Sequence, residues 1–242
     1  MADVRTHYAE VLSPVYAWML GGFDAAVERN TAFFAAHGID GPKASGIAVD
    51  LGAGCGFQSL PLARLGFSVT AIDLDGGLLA ELEANAAGLG IRCIEDDLLE
   101  FRRHVGNDVE IAVCMTDTLL HLSSQEAVGN VLDDIVASLL AGGRLIATFR
   151  DLTPTLHELD RLIPVRADRD TIFTCFLEYE AETVKVHDLV YRRSDDDWQF
   201  SRSFYRKLRL APNWVADRCR EAGFADVQVS NEQGLVTLVA TR

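Results

Sequence analysis

The residues with the clearest chemical purpose lie between positions 48 and 73. Ala48-Val-Asp-Leu-Gly-Ala-Gly-Cys-Gly56 is an apolar run that breaks into three alternate glycines, and Val69-Thr-Ala-Ile-Asp73 ends in a carboxylate twenty-one residues after Gly52. The apolar run predicts a buried strand. Gly52, Gly54 and Gly56 let the chain turn tightly into a helix with no side chain between peptide and ligand. A carboxylate closing the next strand can accept the hydrogens of both ribose hydroxyls, so the two segments together predict a site for a nucleoside-bearing cofactor. A dinucleotide would call for glycine at position 57, to leave room for a pyrophosphate at the helix start. Position 57 is Phe, which turns the reading away from NAD and hydride transfer.

The pattern resembles the class I S-adenosylmethionine-dependent methyltransferases, whose first motif has the form (V/L)-D-x-G-x-G-x-G and whose second strand ends in a ribose-binding acid. The resemblance covers most of the chain. It implies S-adenosylmethionine as cofactor, with Asp50 near the cationic end, Gly52, Gly54 and Gly56 as the cradle, Asp73 on the ribose and Leu74 against the adenine face. In Glu95-Asp96-Asp97-Leu98 it implies an adenine-binding acid, assigned to Asp97, with the amide of Leu98 donating to a ring nitrogen. The alternative is that Asp96 or Asp97 caps a helix through Leu99 to His104.

Cys114-Met115-Thr116-Asp117-Thr118-Leu119-Leu120-His121-Leu122 resembles the D-T-L-x-H-L stretch of small-molecule members and lacks the (D/N/S)-P-P-(Y/F) signature of members that methylate nucleic-acid amino groups. The end of that strand would face the sulfonium, which makes Cys114, Met115 and Asp117 candidates for the cofactor site. His121 is the candidate catalytic residue, since an imidazole of ordinary pKa, about 6.5, can take a proton from an amine or hydroxyl near neutrality. Its alternative is a packed, hydrogen-bonded histidine. Substrate contacts are expected from Arg150, in Phe149-Arg150-Asp151-Leu152, and from Tyr205, in Phe204-Tyr205-Arg206-Lys207. An arginine there suits a carboxylate or phosphate, or else closes the structure through Asp151. Tyr8 and Tyr16 are expected to complete the substrate site from the N-terminal segment.

Those residues need a scaffold that brings strand ends together. Short apolar runs at 47–51, 68–72, 91–95, 109–114 and 143–149 alternate with helical patterns at 57–65, 77–88 and 125–140, which predicts a doubly wound, mostly parallel sheet. A helix over Pro212 to Ala222, stopped by Gly223, and strands over 226–230 and 235–241 follow, and the resemblance implies that this final hairpin closes a seven-stranded Rossmann-like methyltransferase fold. Residues 151–211 break the alternation. Their β-branched and aromatic runs over 171–180, 184–193 and 198–210, with Ser194-Asp195-Asp196-Asp197 as a turn, predict an antiparallel insertion after the fifth strand that covers the substrate. Residues 1–40 are expected to form a helical lid on the same single domain, 1–242.

Composition narrows the partners. A formal charge of −14 repels a phosphate backbone, so neither RNA nor DNA is expected as a partner. Five widely spaced cysteines predict reduced thiols and a cytoplasmic location rather than a disulfide frame. Neither a signal peptide nor a membrane span is expected, and no histidine spacing predicts a metal site. The reading is methyl transfer to nitrogen or oxygen of a small molecule. Transfer to a protein or peptide side chain and a non-catalytic cofactor-binding module are the alternatives, and the sequence leaves the oligomeric state open.

Overall fold

The computed structural model describes residues 4–195 and 197–242, so Asp196 of the expected turn and the first three residues of the expected lid lie outside it. Five parallel strands, β1 (Ile47–Leu51), β2 (Ser68–Asp73), β3 (Ile91–Glu95), β4 (Val109–Cys114) and β5 (Leu139–Arg150), form one sheet. Four more, β6 (Leu162–Ala167), β7 (Thr171–Tyr179), β8 (Thr183–Ser194) and β9 (Asp197–Leu208), form an antiparallel sheet. The closing hairpin, β10 (Asp226–Glu232) and β11 (Leu235–Thr241), returns to the first sheet, whose order is β10-β11-β5-β4-β1-β2-β3. β4 is buried at all six positions and β1 at four of five, as strands covered on both faces must be.

The helices are α1 (Val4–His7), α2 (Tyr16–Met19), α3 (Phe23–Ala36), α4 (Ser59–Arg64), α5 (Gly76–Asn85), α6 (Gln125–Ser138) and α7 (Pro212–Ala222). Their ends follow local chemistry. Asp75 caps α5 by accepting from the amides of Gly77 and Leu78, and Ser124 caps α6 through Ala127. Gly223, at φ +108°, ends α7 with its amide on the Arg220 carbonyl. α6 ends at Ser138 without glycine, and Gly142, at φ +80°, bends the chain within β5 while its amide bonds the Arg242 carbonyl.

The insertion has one strand more than the sequence predicts. β6 carries Pro164 and a register shift between Pro164 and Arg166, features tolerated only on an edge strand, and they hid it from any periodicity. The N-terminal lid is also less regular than one helix. Between α1 and α2 lie a π-helical turn, Tyr8–Leu12, and a 3-10 turn, Ser13–Val15. Residues of β7, β8 and β9 such as Phe173, Val186 and Tyr205 share one buried apolar cluster with β4 and β5, so the inner face of the insertion packs toward the carboxyl ends of the parallel strands.

Candidate functional site

In the order 3-2-1-4-5 the chain leaves β1 toward one side and β4 toward the other, and the crevice between their carboxyl ends is where α/β sheets bind ligands. A cavity of about 630 Å³, counted out to its open mouth, lies there. Its floor comes from Gly52 and Gly54 after β1, Ile72 to Asp75 at the end of β2, Asp96 and Leu98 after β3, and Thr116, Thr118 and His121 after β4. Val4, Arg5, Tyr8 and Tyr16 roof it.

The three glycines do different work. All have positive φ, +75°, +53° and +92°, as the strand-to-helix turn demands. A methyl group on Gly52 would stand 2.5 Å from Thr118, and one on Gly56 would stand 2.1 Å from Leu82 and 2.8 Å from Leu60, inside the core. Only Gly54 has room, its nearest neighbour being the Tyr16 ring at 3.5 Å. Gly56→Ala is therefore expected to cost about 2–3 kcal/mol of stability through overpacking and backbone strain. Gly54→Ala should lower the melting temperature far less, yet weaken binding of S-adenosylhomocysteine because its methyl occupies the cavity. Thermal melts and calorimetry on the two variants check this, and equal effects on both readouts would contradict it.

Asp73 is fixed by its surroundings. Its carboxylate accepts the Gly54 amide at 2.8 Å on one oxygen and the Asp75 amide at 2.8 Å on the other, leaving further lone pairs toward the cavity. Burial pushes its pKa up, and those two amides oppose the shift. Asp50 lies behind the glycine loop, away from the cavity lining. It is 1% exposed, accepts the Ser59 hydroxyl at 2.6 Å, and burial pushes its pKa up to about 7. Leu74 and Leu98 line the cavity.

The acid after β3 needs correction. Asp97 caps the 3-10 turn Leu98–Arg103 by accepting from Leu99, whereas Asp96 lines the cavity, held by His104 at 2.7 Å and by the Asp97 amide. Adjacent acids on a loop cannot be told apart by spacing, because the turn's φ and ψ decide which one points inward. Cys114 and Met115 are buried at the end of β4, outside the lining. Asp117, at φ +71°, is buried and turned toward the insertion, where Lys207 Nζ donates to it at 2.6 Å and the Arg150 amide at 2.7 Å. Burial raises the Asp117 pKa, but Lys207, with Arg150 beside it, outweighs burial and holds the carboxyl below its usual range.

His121 departs from the titrating base expected of it. Burial first, and the charge of Lys207 second, push its pKa down to about 3, so the ring is neutral at physiological pH. Its Nε2 lies 3.2 Å from the Tyr8 hydroxyl, its ring stacks on Tyr205 with centroids 5.2 Å apart, and its buried Nδ1 has no hydrogen-bond partner among the described residues. Tyr8, Tyr16 and His121 therefore meet at the cavity, with Tyr205 packed behind them on the inner face of the insertion. The Arg150 side chain is not among the lining. It is 70% exposed, with Nε 3.6 Å from Asp117. Lys207, which sequence reasoning passed over, takes the buried place. The signal was available, since strand alternation puts residues 205 and 207 on one face and Arg206 on the other.

A protein-family model described as a methyltransferase domain matches residues 48–143, the stretch that supplies the glycine loop, Asp73 and the β4 loop. Residues 48–143 thus carry a methyltransferase domain, in keeping with the motif resemblance to the class I S-adenosylmethionine-dependent methyltransferases. A glycine/sarcosine N-methyltransferase of Aphanothece halophytica is 24% identical over 181 residues, which span 74% of this chain and 66% of that one. An rRNA adenine N-6-methyltransferase of Corynebacterium diphtheriae is 32% identical over 60 residues, 25% of this chain and 24% of its own. The chain thus spans just under two thirds of the first of these relatives and about a quarter of the second. Among solved methyltransferases, the S-adenosylmethionine-bound amino pentose enzyme CalS10 of Micromonospora echinaspora superposes with a TM-score of 0.70 at 17% identity, over 93% of this chain and 94% of that one. The cavity fits S-adenosylmethionine in this chain's own residues: a side-chain-free Gly54, a half-buried carboxylate at Asp73 and an acid at Asp96. Among the described residues no helix is long and apolar enough to cross a membrane, and no group of His, Cys, Asp and Glu is placed to hold a metal.

Proposed function

We propose that this methyltransferase moves the methyl group of S-adenosylmethionine to a nitrogen or oxygen of a small molecule. The observation that carries the reading is the continuity of the cavity, which runs from the glycine loop and Asp73 to the ring cluster of Tyr8, Tyr16 and His121, with Tyr205 of the insertion packed behind that cluster. When bound, the cofactor supplies an activated methyl on a sulfonium. The chain's own task is alignment, and holding a reactant in line in a dry pocket can contribute about 7–11 kcal/mol. Asp73 orients the ribose, Gly52 and Gly54 allow close approach, and Asp96, with Leu74 and Leu98, receives the adenine end. His121 is a weak base at a pKa of about 3, and we assign it the role of orienting the acceptor through Nδ1 rather than storing its proton. Tyr8 holds that ring in place.

A small acceptor agrees with a roofed cavity and a charge of −14, which disfavours the phosphate backbone of RNA, and with the small-molecule names borne by the glycine/sarcosine relative and the amino pentose enzyme. Five free thiols suit a cytoplasmic setting. One apolar cluster joins both sheets, which supports reading residues 1–242 as one domain. Incubation with S-adenosylmethionine and a pool of amino acids, amino sugars and hydroxylated metabolites is expected to add the mass of one methylene to a pool member. Methyl label appearing on rRNA or on protein, with none on the pool, would overturn the proposal.

A further inference from the structure

The N-terminal segment meets two different parts of the molecule at once. Val4, Arg5 and Tyr8 line the cavity, and Arg5 spans its rim by donating from Nε to the Leu74 carbonyl and pairing with Glu95 at 3.0 Å. His7, between them, turns the other way and is completely buried against the insertion. Its Nε2 lies 2.8 Å from Asp188 of β8, itself 1% exposed, and Asp188 also accepts the Cys175 thiol of β7 at 2.9 Å. The Tyr205 ring of β9 lies 4.5 Å from the His7 ring and 5.2 Å from that of His121, so His7, Tyr205 and His121 form one wall between insertion and cavity. A π-helical turn follows immediately, a form of helix found mostly at functional sites.

A buried carboxylate–imidazole contact in a site with no water access is a directional tie whose removal leaves an uncompensated polar group. Apolar packing alone would let α1 slide on the sheet; this bond sets one position for it. We propose that His7 and Asp188 are positioning residues for the cofactor cavity: the insertion, through a pair that touches no ligand, holds α1 with Arg5 and Tyr8 over the cavity and so sets how long the cofactor product stays bound. The inference rests on the reading of the cavity as a cofactor site.

Dissociation of labelled S-adenosylhomocysteine from the full chain, chased with unlabelled compound, tests it. Asp188→Leu and His7→Phe are each expected to speed release about tenfold, the loss of one charge-assisted hydrogen bond. Asp188→Asn keeps a carbonyl that can accept from Nε2 without the charge, and release should quicken only about threefold. Leu177→Ala, on the same face of β7, should lower thermal stability and leave the release rate alone. If the Asp188 and His7 variants release at the wild-type rate whatever their melting temperatures, the pair is structural only and the proposal fails. Should Asp188→Leu not fold, the milder Asp188→Asn decides by the same criterion. Wild-type chain that binds no S-adenosylhomocysteine at all would instead sink the cofactor reading, before any variant is made, and the positioning role with it.

Discussion

Replacing Asp73 with Ala is expected to weaken binding of S-adenosylhomocysteine by about tenfold to a hundredfold, the equivalent of 1.5–3 kcal/mol for hydrogen bonds to a charged group. The carboxylate is held by the Gly54 and Asp75 amides at 2.8 Å each, so it sits ready for a diol without rearrangement. The variant loses both the acceptor and the anchor of the glycine loop. Asp73→Asn separates the two contributions, since an amide oxygen can keep one backbone bond but its NH2 must face the other donor. The pH dependence has a definite sign. Burial raises the Asp73 pKa, and a diol that donates to the carboxylate binds the deprotonated form, so affinity must fall as pH drops into the acid range. Isothermal calorimetry across pH checks both statements. Unchanged affinity in a folded Asp73→Ala variant would remove this residue from the site.

Lys207→Met should be the most destabilising single substitution near the site. Lys207 and Asp117 are 9% and 7% exposed and 2.6 Å apart, and methionine retains most of the stem while deleting the charge. Asp117 then keeps a buried charge with only the Arg150 amide and the exposed Arg150 guanidinium, 3.6 Å away, to offset it. Breaking a buried pair in this way typically costs about 3–5 kcal/mol. For a chain of this length that corresponds to a fall in melting temperature of about 6–20 °C. The ion pair depresses the Asp117 pKa, so its contribution is present above the unfolded carboxylate value, about 4, and is lost as pH falls below it. Wild type and Lys207→Met should therefore converge in acid. Melting curves that stay apart by the same interval down to low pH would rule out the pair as the source of the difference.

What the sequence determined by itself is the frame and much of the cavity's floor. A period of two in the strands, glycine at positions that need positive φ, and a carboxylate at a strand end are local properties, readable from neighbouring residues. Gly52, Gly54, Asp73, Leu74 and Leu98 accordingly stand at the cavity where the motif implies. The alternation also announced an antiparallel insertion, and missed only the edge strand whose proline broke the pattern.

Tertiary structure decided everything that depends on residues far apart in the chain. Which of Asp96 and Asp97 faces inward follows from the dihedral angles of one turn. Whether His121 carries a proton depends on burial and on Lys207, which reaches the site from the end of β9. Arg150 and Lys207 offer the same charge in the sequence, yet in the fold Arg150 reaches Asp117 from solvent at 3.6 Å while Lys207 is buried on it at 2.6 Å. The His7–Asp188 contact joins positions 181 apart, and no spacing rule reaches that far. Solvation and long-range contact set pKa values and partners, and both come into being only when the chain closes on itself.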